Sequence, residues 1–104
     1  AYPSYTQYMI KSNRAAAQSH MLDITNLEQQ YVVDNRRYTG TISDLNGLTT
    51  PTSVSNYYTI TITPNDGPPP TFTVTATPRS GTIQASDVTL SINNAGTKTP
   101  SDKW

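Results

Sequence analysis

From residue 4 to about residue 36 the chain contains neither proline nor glycine, although the 104 residues hold eight prolines and five glycines elsewhere. So long a stretch without either breaker constrains the fold more than any other feature, because it lets one helix run without interruption. Placed at roughly 100° per residue, Met9, Ile10, Ala16, Ala17, Met21, Ile24, Leu27, Tyr31 and Val32 share one sector. Gln18, Ser19, Asp23, Asn26, Gln29 and Gln30 lie opposite. The pattern predicts an amphipathic helix over about 4–36 with one apolar stripe. Tyr8, Leu22 and Val33 break it by falling on the polar side. Arg36 and Arg37 are expected in the last turn, where cations complement the helix dipole, with Asn35 or Gly40 as the stop.

Such a helix would be roughly 48 Å long, whereas a compact domain of this size is roughly 34 Å across. The expectation is a helix that projects at its N-terminal end, where Tyr2, Tyr5, Tyr8, Met9 and Ile10 have no matching mass of sequence to cover them.

The second half has period two. Tyr57–Thr63, Thr71–Thr77 and Val88–Asn93 each alternate apolar with polar residues, as half-buried strands do. Their apolar faces are Tyr58/Ile60/Ile62, Phe72/Val74/Ala76 and Val88/Leu90/Ile92, and the other faces are nearly all Thr and Ser. Pro64 to Pro70 reads as a hairpin loop, and Pro78 to Asp87 as a longer connection containing Gly81. Three sequential strands with short links favour an antiparallel meander, and the helix stripe is the available cover for its apolar face. The fold class is therefore α+β, a long N-terminal helix across a three- to four-stranded antiparallel sheet. Residues 1–104 are read as one domain: helix about 4–36, connecting loop 38–56 with Asn46-Gly47 and Pro51, sheet and C-terminal region 57–104.

Composition narrows the function. Seven basic residues balance seven acidic ones, which gives no strong nucleic-acid signal. Without cysteine there is no disulfide, no Cys-ligated zinc and no thiol catalysis. No run of about 18 apolar residues spans a membrane. Low charge with 18 Thr and 10 Ser points to a cell-surface or extracellular protein. Ser19, His20 and Asp23 are close in sequence, but adjacent helical residues point roughly 100° apart and do not converge. His20 also falls in the apolar sector, as a packed boundary histidine would. The one glutamate, Glu28, and the scattered aspartates form no catalytic pair or metal set, so no enzyme, cofactor or metal is expected. The Thr-x-Thr runs read as strand propensity rather than an ice-binding array. Lys11, Arg14, Arg36 and Arg37 read as solvated or dipole-complementing charges. Tyr2, Tyr5 and Tyr8 at spacing three on an uncovered helix end mark a candidate subunit interface, with Pro3, Met9 and Leu22.

Several blocks, in order, resemble the type IV pilin family in its minor-pilin-like branch. They are Ala1-Tyr2-Pro3-Ser4-Tyr5, Arg14-Ala15-Ala16-Ala17, Leu27-Glu28-Gln29-Gln30-Tyr31, Asp34-Asn35-Arg36-Arg37-Tyr38, Tyr57-Tyr58-Thr59-Ile60, Thr75-Ala76-Thr77-Pro78, Leu90 through Lys98, and the terminal Trp104. The resemblance implies a structural subunit that polymerises into a surface filament for adhesion, twitching motility or DNA uptake. It implies other pilin subunits and the pilus assembly machinery as partners. It further implies a preceding apolar segment that anchors the chain in the inner membrane before assembly, so that this sequence is a piece beginning after it, with Pro3 at the family's helix bend. A type II secretion pseudopilin is the first alternative, although no Asp cluster supplies the calcium loop common there. A stand-alone surface adhesion or ligand-binding module is the second. Many family members close a C-terminal loop with a disulfide. Aligned to them, Asp87 and Lys103 occupy those positions, and the expectation is that this oppositely charged pair closes the loop instead. An exposed pair would contribute about 0–1 kcal/mol against about 3 kcal/mol for a disulfide, so Trp104 packing is expected to matter more than Asp87.

Overall fold

The computed structural model describes residues 3–45 and 47–104. Helix α1 spans Pro3–Asn35. A 3₁₀ turn (Ile42–Asp44) and a one-turn helix α2 (Thr52–Ser55) follow in the connection read as a loop. Then come β1 (Tyr58–Asn65), β2 (Thr71–Pro78), a 3₁₀ turn (Ile83–Ser86), β3 (Leu90–Asn93), β4 (Lys98–Thr99) and a last 3₁₀ turn (Ser101–Lys103). The sheet is an antiparallel meander in the order β1-β2-β3-β4, so the fold is α+β as the two periodicities require. The dimensions are 49 × 27 × 19 Å, and the long axis matches the roughly 50 Å that 33 helical residues need. Among the described residues no helix is long and apolar enough to cross a membrane.

Three boundaries differ from expectation. Helix α1 ends at Asn35, whose side-chain amide donates to the Tyr31 carbonyl, and Arg36 follows with φ of 60°. The Arg36 N–H still reaches the Val32 carbonyl at 2.8 Å. Arg36 is thus the left-handed residue that stops the helix, and Arg36 and Arg37 lie just past the last turn instead of in it. Pro64 and Asn65 extend β1, because Asn65 pairs with Thr71 and its side chain accepts the Gly67 N–H at 3.0 Å. Val88 precedes β3, whereas Lys98 and Thr99 form a fourth strand against Ile92 and Ser91.

The core lies between α1 and one face of the sheet. Ile10, Ala17, Met21 and Ile24 are buried on α1, Tyr58 and Ile62 on β1, Phe72, Val74 and Ala76 on β2, and Leu90 and Ile92 on β3. Leu45 and Val54 close it from the connection, and Tyr38 stands edge-on to Phe72 with ring centres 4.5 Å apart. Each large apolar side chain so buried contributes about 1.5–3 kcal/mol. On the opposite face the register sets Thr59 beside Thr77, Thr61 beside Thr75, Thr75 in turn beside Ser91, and Thr63 beside Thr73, the hydroxyl pairs that suit an open sheet face. Gly40 runs along the outer edge of β1. A Cβ there would stand 3.2 Å from the Pro64 ring and 3.5 Å from the Ile62 carbonyl oxygen, so the absence of a side chain lets the segment cover this edge closely.

Candidate interface and its anchoring cluster

One side of α1 is used by the sheet; the other is open. Among the described side chains Ile10 is the first that is buried, and before it Tyr5 and Tyr8 are 60% and 69% exposed, with Met9 half-buried. Tyr2 lies outside the described residues, and Pro3 opens the helix. Leu22 and Val33 are also exposed, Val33 to 78%. At roughly 100° per residue, Tyr8, Ala15, Leu22 and Val33 fall within about 40° of one another, opposite the core stripe. The residues that broke the amphipathic pattern therefore form a second stripe of their own. Of the exposed positions from Ser12 to Val33, Asp23 is the one that carries charge. Exposed helix faces ordinarily carry many charges, and charge depletion with aromatic and aliphatic side chains is the composition of an interface core.

The projecting end is tied to the body by a buried polar cluster. Arg14 donates from Nε to Asp87 Oδ2 at 3.0 Å and from Nη2 to Asp87 Oδ1 at 2.8 Å, a two-pronged ion pair. The Tyr58 hydroxyl donates to the same Oδ2 at 2.8 Å. The Gln84 side-chain amide donates to the Tyr58 hydroxyl, to Asp87 Oδ2 and to the Ile10 carbonyl, sharing its hydrogens among acceptors at 2.9, 3.1 and 3.0 Å. Asn13 donates to Gln84 Oε1 at 3.0 Å. Tyr58 and Gln84 are fully buried, and the Asp87 side chain is 4% exposed. Burial alone would push the Asp87 carboxyl up, but hydrogen bonds from Arg14 and Tyr58 outweigh it and hold it below the usual carboxylate range. Burial, then the bond to Asp87, pushes the Tyr58 hydroxyl well above the usual phenol range. The Asp87 bond, against the cost of burial, raises Arg14.

This geometry overturns the expected Asp87–Lys103 pair. Asp87 lies just before β3, facing α1, and its carboxylate is taken by Arg14, Tyr58 and Gln84. Lys103 is exposed beyond β4, and it is held through its backbone carbonyl, which accepts from Gln18 at 2.8 Å. Arg14 is correspondingly not a solvated charge. Trp104 packs half-buried at the core edge, donates from Nε1 to the Thr99 carbonyl at 3.2 Å, and has Lys98 Nζ 5.6 Å from its ring centre.

Ser19 and Asp23 are exposed while His20 is buried with Nε2 3.1 Å from Thr50 Oγ1, so the three do not converge. Burial lowers His20, and Asp23 partly opposes this. Among the described residues no group of three or more His, Asp or Glu side chains is placed to hold a metal. A cavity of about 280 Å³ lies between the end of α1 and the Ile42–Leu45 turn, lined by Leu27, Gln30, Tyr31, Asp34, Asn35, Asp44 and Leu45. Sequence reasoning missed the inward roles of Asn13, Arg14 and Glu28. Their helical angles, within or beside the apolar sector, carried the signal.

A family model described as type IV minor pilin ComP, DNA uptake sequence receptor, matches residues 3–91. No curated protein and no solved structure matches the chain.

Proposed function

The chain belongs to the type IV minor pilin family, and from that premise we propose that it enters the filament through the outer face of α1. A pilin is a structural subunit of the type IV pilus, a cell-surface filament, and this chain is one. In the proposed contact, Tyr8 and Leu22 meet a neighbouring pilin, Ala15 and Val33 continue the contact, and Tyr5 and Met9, with Tyr2 and Pro3 before them, join it from the projecting end. The observation that carries this reading is the outer face, where Tyr8, Ala15, Leu22 and Val33 stand among uncharged polar side chains (Ser12, Ser19, Asn26, Gln29, Gln30) and Asp23 is the one exposed charge from Ser12 to Val33. Large apolar side chains exposed on a face so poor in charge mark a surface that another protein covers. Residues 1–104 then act as one pilin domain, held in the inner membrane before assembly and handled there by the pilus machinery. The experiment is incorporation: Leu22→Glu and Tyr8→Glu subunits should fold but be lost from sheared filaments. Normal incorporation of both would defeat the reading.

Among the tasks of such filaments we favour DNA uptake, because the matched family is described as a DNA uptake sequence receptor. With no net charge, contact with DNA would be local. Lys98 over the Trp104 ring, with Lys103 beside it, offers cations next to a stacking surface. Duplex binding that weakens in Lys98→Ala/Lys103→Ala and falls with salt supports it. Binding unchanged in that variant removes this patch from the account.

A further inference from the structure

Glu28 is the single glutamate of the chain and is fully buried. Its Oε1 accepts the Thr39 N–H at 2.9 Å. Its Oε2 is buried with no hydrogen-bond partner among the described residues. Thr39 in turn organises the segment that follows. Its hydroxyl donates to Asp44 Oδ2 at 2.7 Å and accepts the Thr41 N–H at 3.1 Å. The segment Thr39–Leu45 therefore starts from one bond to a buried carboxyl. At its other end Asp44 and Leu45 face Leu27 and Tyr31 across the 280 Å³ cavity.

Among the described residues no cation is paired with Glu28. The charge that bears on it is Asp44, of the same sign. One turn away on α1 stand Ile24, Thr25, Tyr31 and Val32, of which Tyr31 alone is titratable, and the sheet residues buried beneath α1 (Phe72, Val74, Ile92) are uncharged. A carboxylate in such a place is shielded from solvent and has no counter-ion among the described residues, so burial favours the neutral acid. Burial pushes the carboxyl above its usual range; the Thr39 N–H pulls it back, and Asp44 adds to the upward push.

We propose that Glu28 is a proton-operated latch on the Thr39–Leu45 segment: neutral, it leaves its unpartnered Oε2 buried with the segment closed on α1, and ionised, it holds the Thr39 N–H more strongly but must hydrate Oε2, which opens the segment and uncovers Leu27, Tyr31 and Leu45. The latch is a property of the chain itself and does not depend on filament assembly.

Amide hydrogen exchange, corrected for intrinsic rates, tests it at about pH 5 and about pH 8.5. Protection of Thr39, Asp44 and Leu45 should fall at the higher pH, while β2 amides stay unchanged. In Glu28→Gln the segment should keep one level of protection at both pH values. Equal protection of the wild-type segment at both, or the same loss in Glu28→Gln, overturns the latch. Should Glu28→Gln fail to fold, the wild-type protein decides by NMR. The Glu28 carboxyl carbon and the Thr39 amide must titrate together, above the usual carboxylate range. A Glu28 already ionised at pH 5 with the segment still protected overturns it.

Discussion

Arg14 and Asp87, 73 positions apart in the chain, meet in a two-pronged ion pair with contacts of 2.8 and 3.0 Å. This pair joins the first third of α1 to the segment leading into β3. It acts where a cysteine-free pilin has no disulfide to clasp its C-terminal half. Because Tyr58 and Gln84 complete the carboxylate's hydrogen bonds, the pair is a satisfied buried group and not a stranded charge.

Asp87→Asn is expected to destabilise the fold by about 2–4 kcal/mol, since it leaves a mostly buried guanidinium without its counter-ion. Trp104→Ala, at a half-exposed site with one hydrogen bond, is expected to cost less, about 1–2 kcal/mol. Urea titrations of both variants give the order. A smaller loss for Asp87→Asn restores the ranking that the Asp87–Lys103 alignment had implied.

Tyr58→Phe keeps the buried ring and removes the hydroxyl that donates to Asp87 and accepts from Gln84. The expected cost is about 1–2 kcal/mol. Combined with Asp87→Asn, the two losses should fall short of their sum, because both disrupt one network. Strict additivity would show that the cluster does not act as a unit.

The pH dependence of the clasp has a definite sign. The Asp87 carboxyl in the folded chain lies below its ordinary value of 3.8. Its contribution is present above that ordinary value and lost as pH falls through the folded one. Melting temperatures of wild type and Asp87→Asn should therefore differ at neutral pH and converge in strong acid. A gap that persists at the acid end contradicts the assignment.

Much of this was legible in the sequence, and the exceptions share a cause. Periodicity places α1, the meander and the apolar residues of each face because burial of apolar side chains dominates those choices. It also shows that Tyr8, Leu22 and Val33 are out of pattern. What it does not expose is polar pairing at long range. Nothing local to Asp87 distinguishes Arg14 from Lys103 as its partner, and only the packing of α1 over Tyr58 decides. Glu28 sits in the apolar sector by angle, yet its residue type pulls a reader toward the surface, as it does for Arg14. The short β4 at Lys98–Thr99 has no alternating pattern long enough to register. The stop at Arg36 depends on a left-handed backbone that arginine does not advertise.

Arg36 is strained by its φ of 60°. Arg36→Gly should raise stability by about 0.5–1 kcal/mol, because glycine adopts that conformation without a Cβ penalty. Thermal unfolding is the check, and a destabilised Arg36→Gly would mean that the arginine side chain makes a contact worth more than the strain.

The outer stripe makes the opposite kind of prediction, a functional loss without a structural one. Leu22→Glu and Val33→Glu alter exposed positions and should change folding stability by no more than about 0.5 kcal/mol. Their effect should appear in filament incorporation. A large drop in melting temperature would show that these side chains serve the fold itself.

The most direct test of the account is site-specific photo-crosslinking within assembled filaments, with the reactive group at position 22 on the outer face of α1 or at position 61 on the Thr-rich face of the sheet. The account predicts crosslinks to a neighbouring pilin from position 22 and none from position 61. Crosslinks from position 61 with none from position 22 would contradict it.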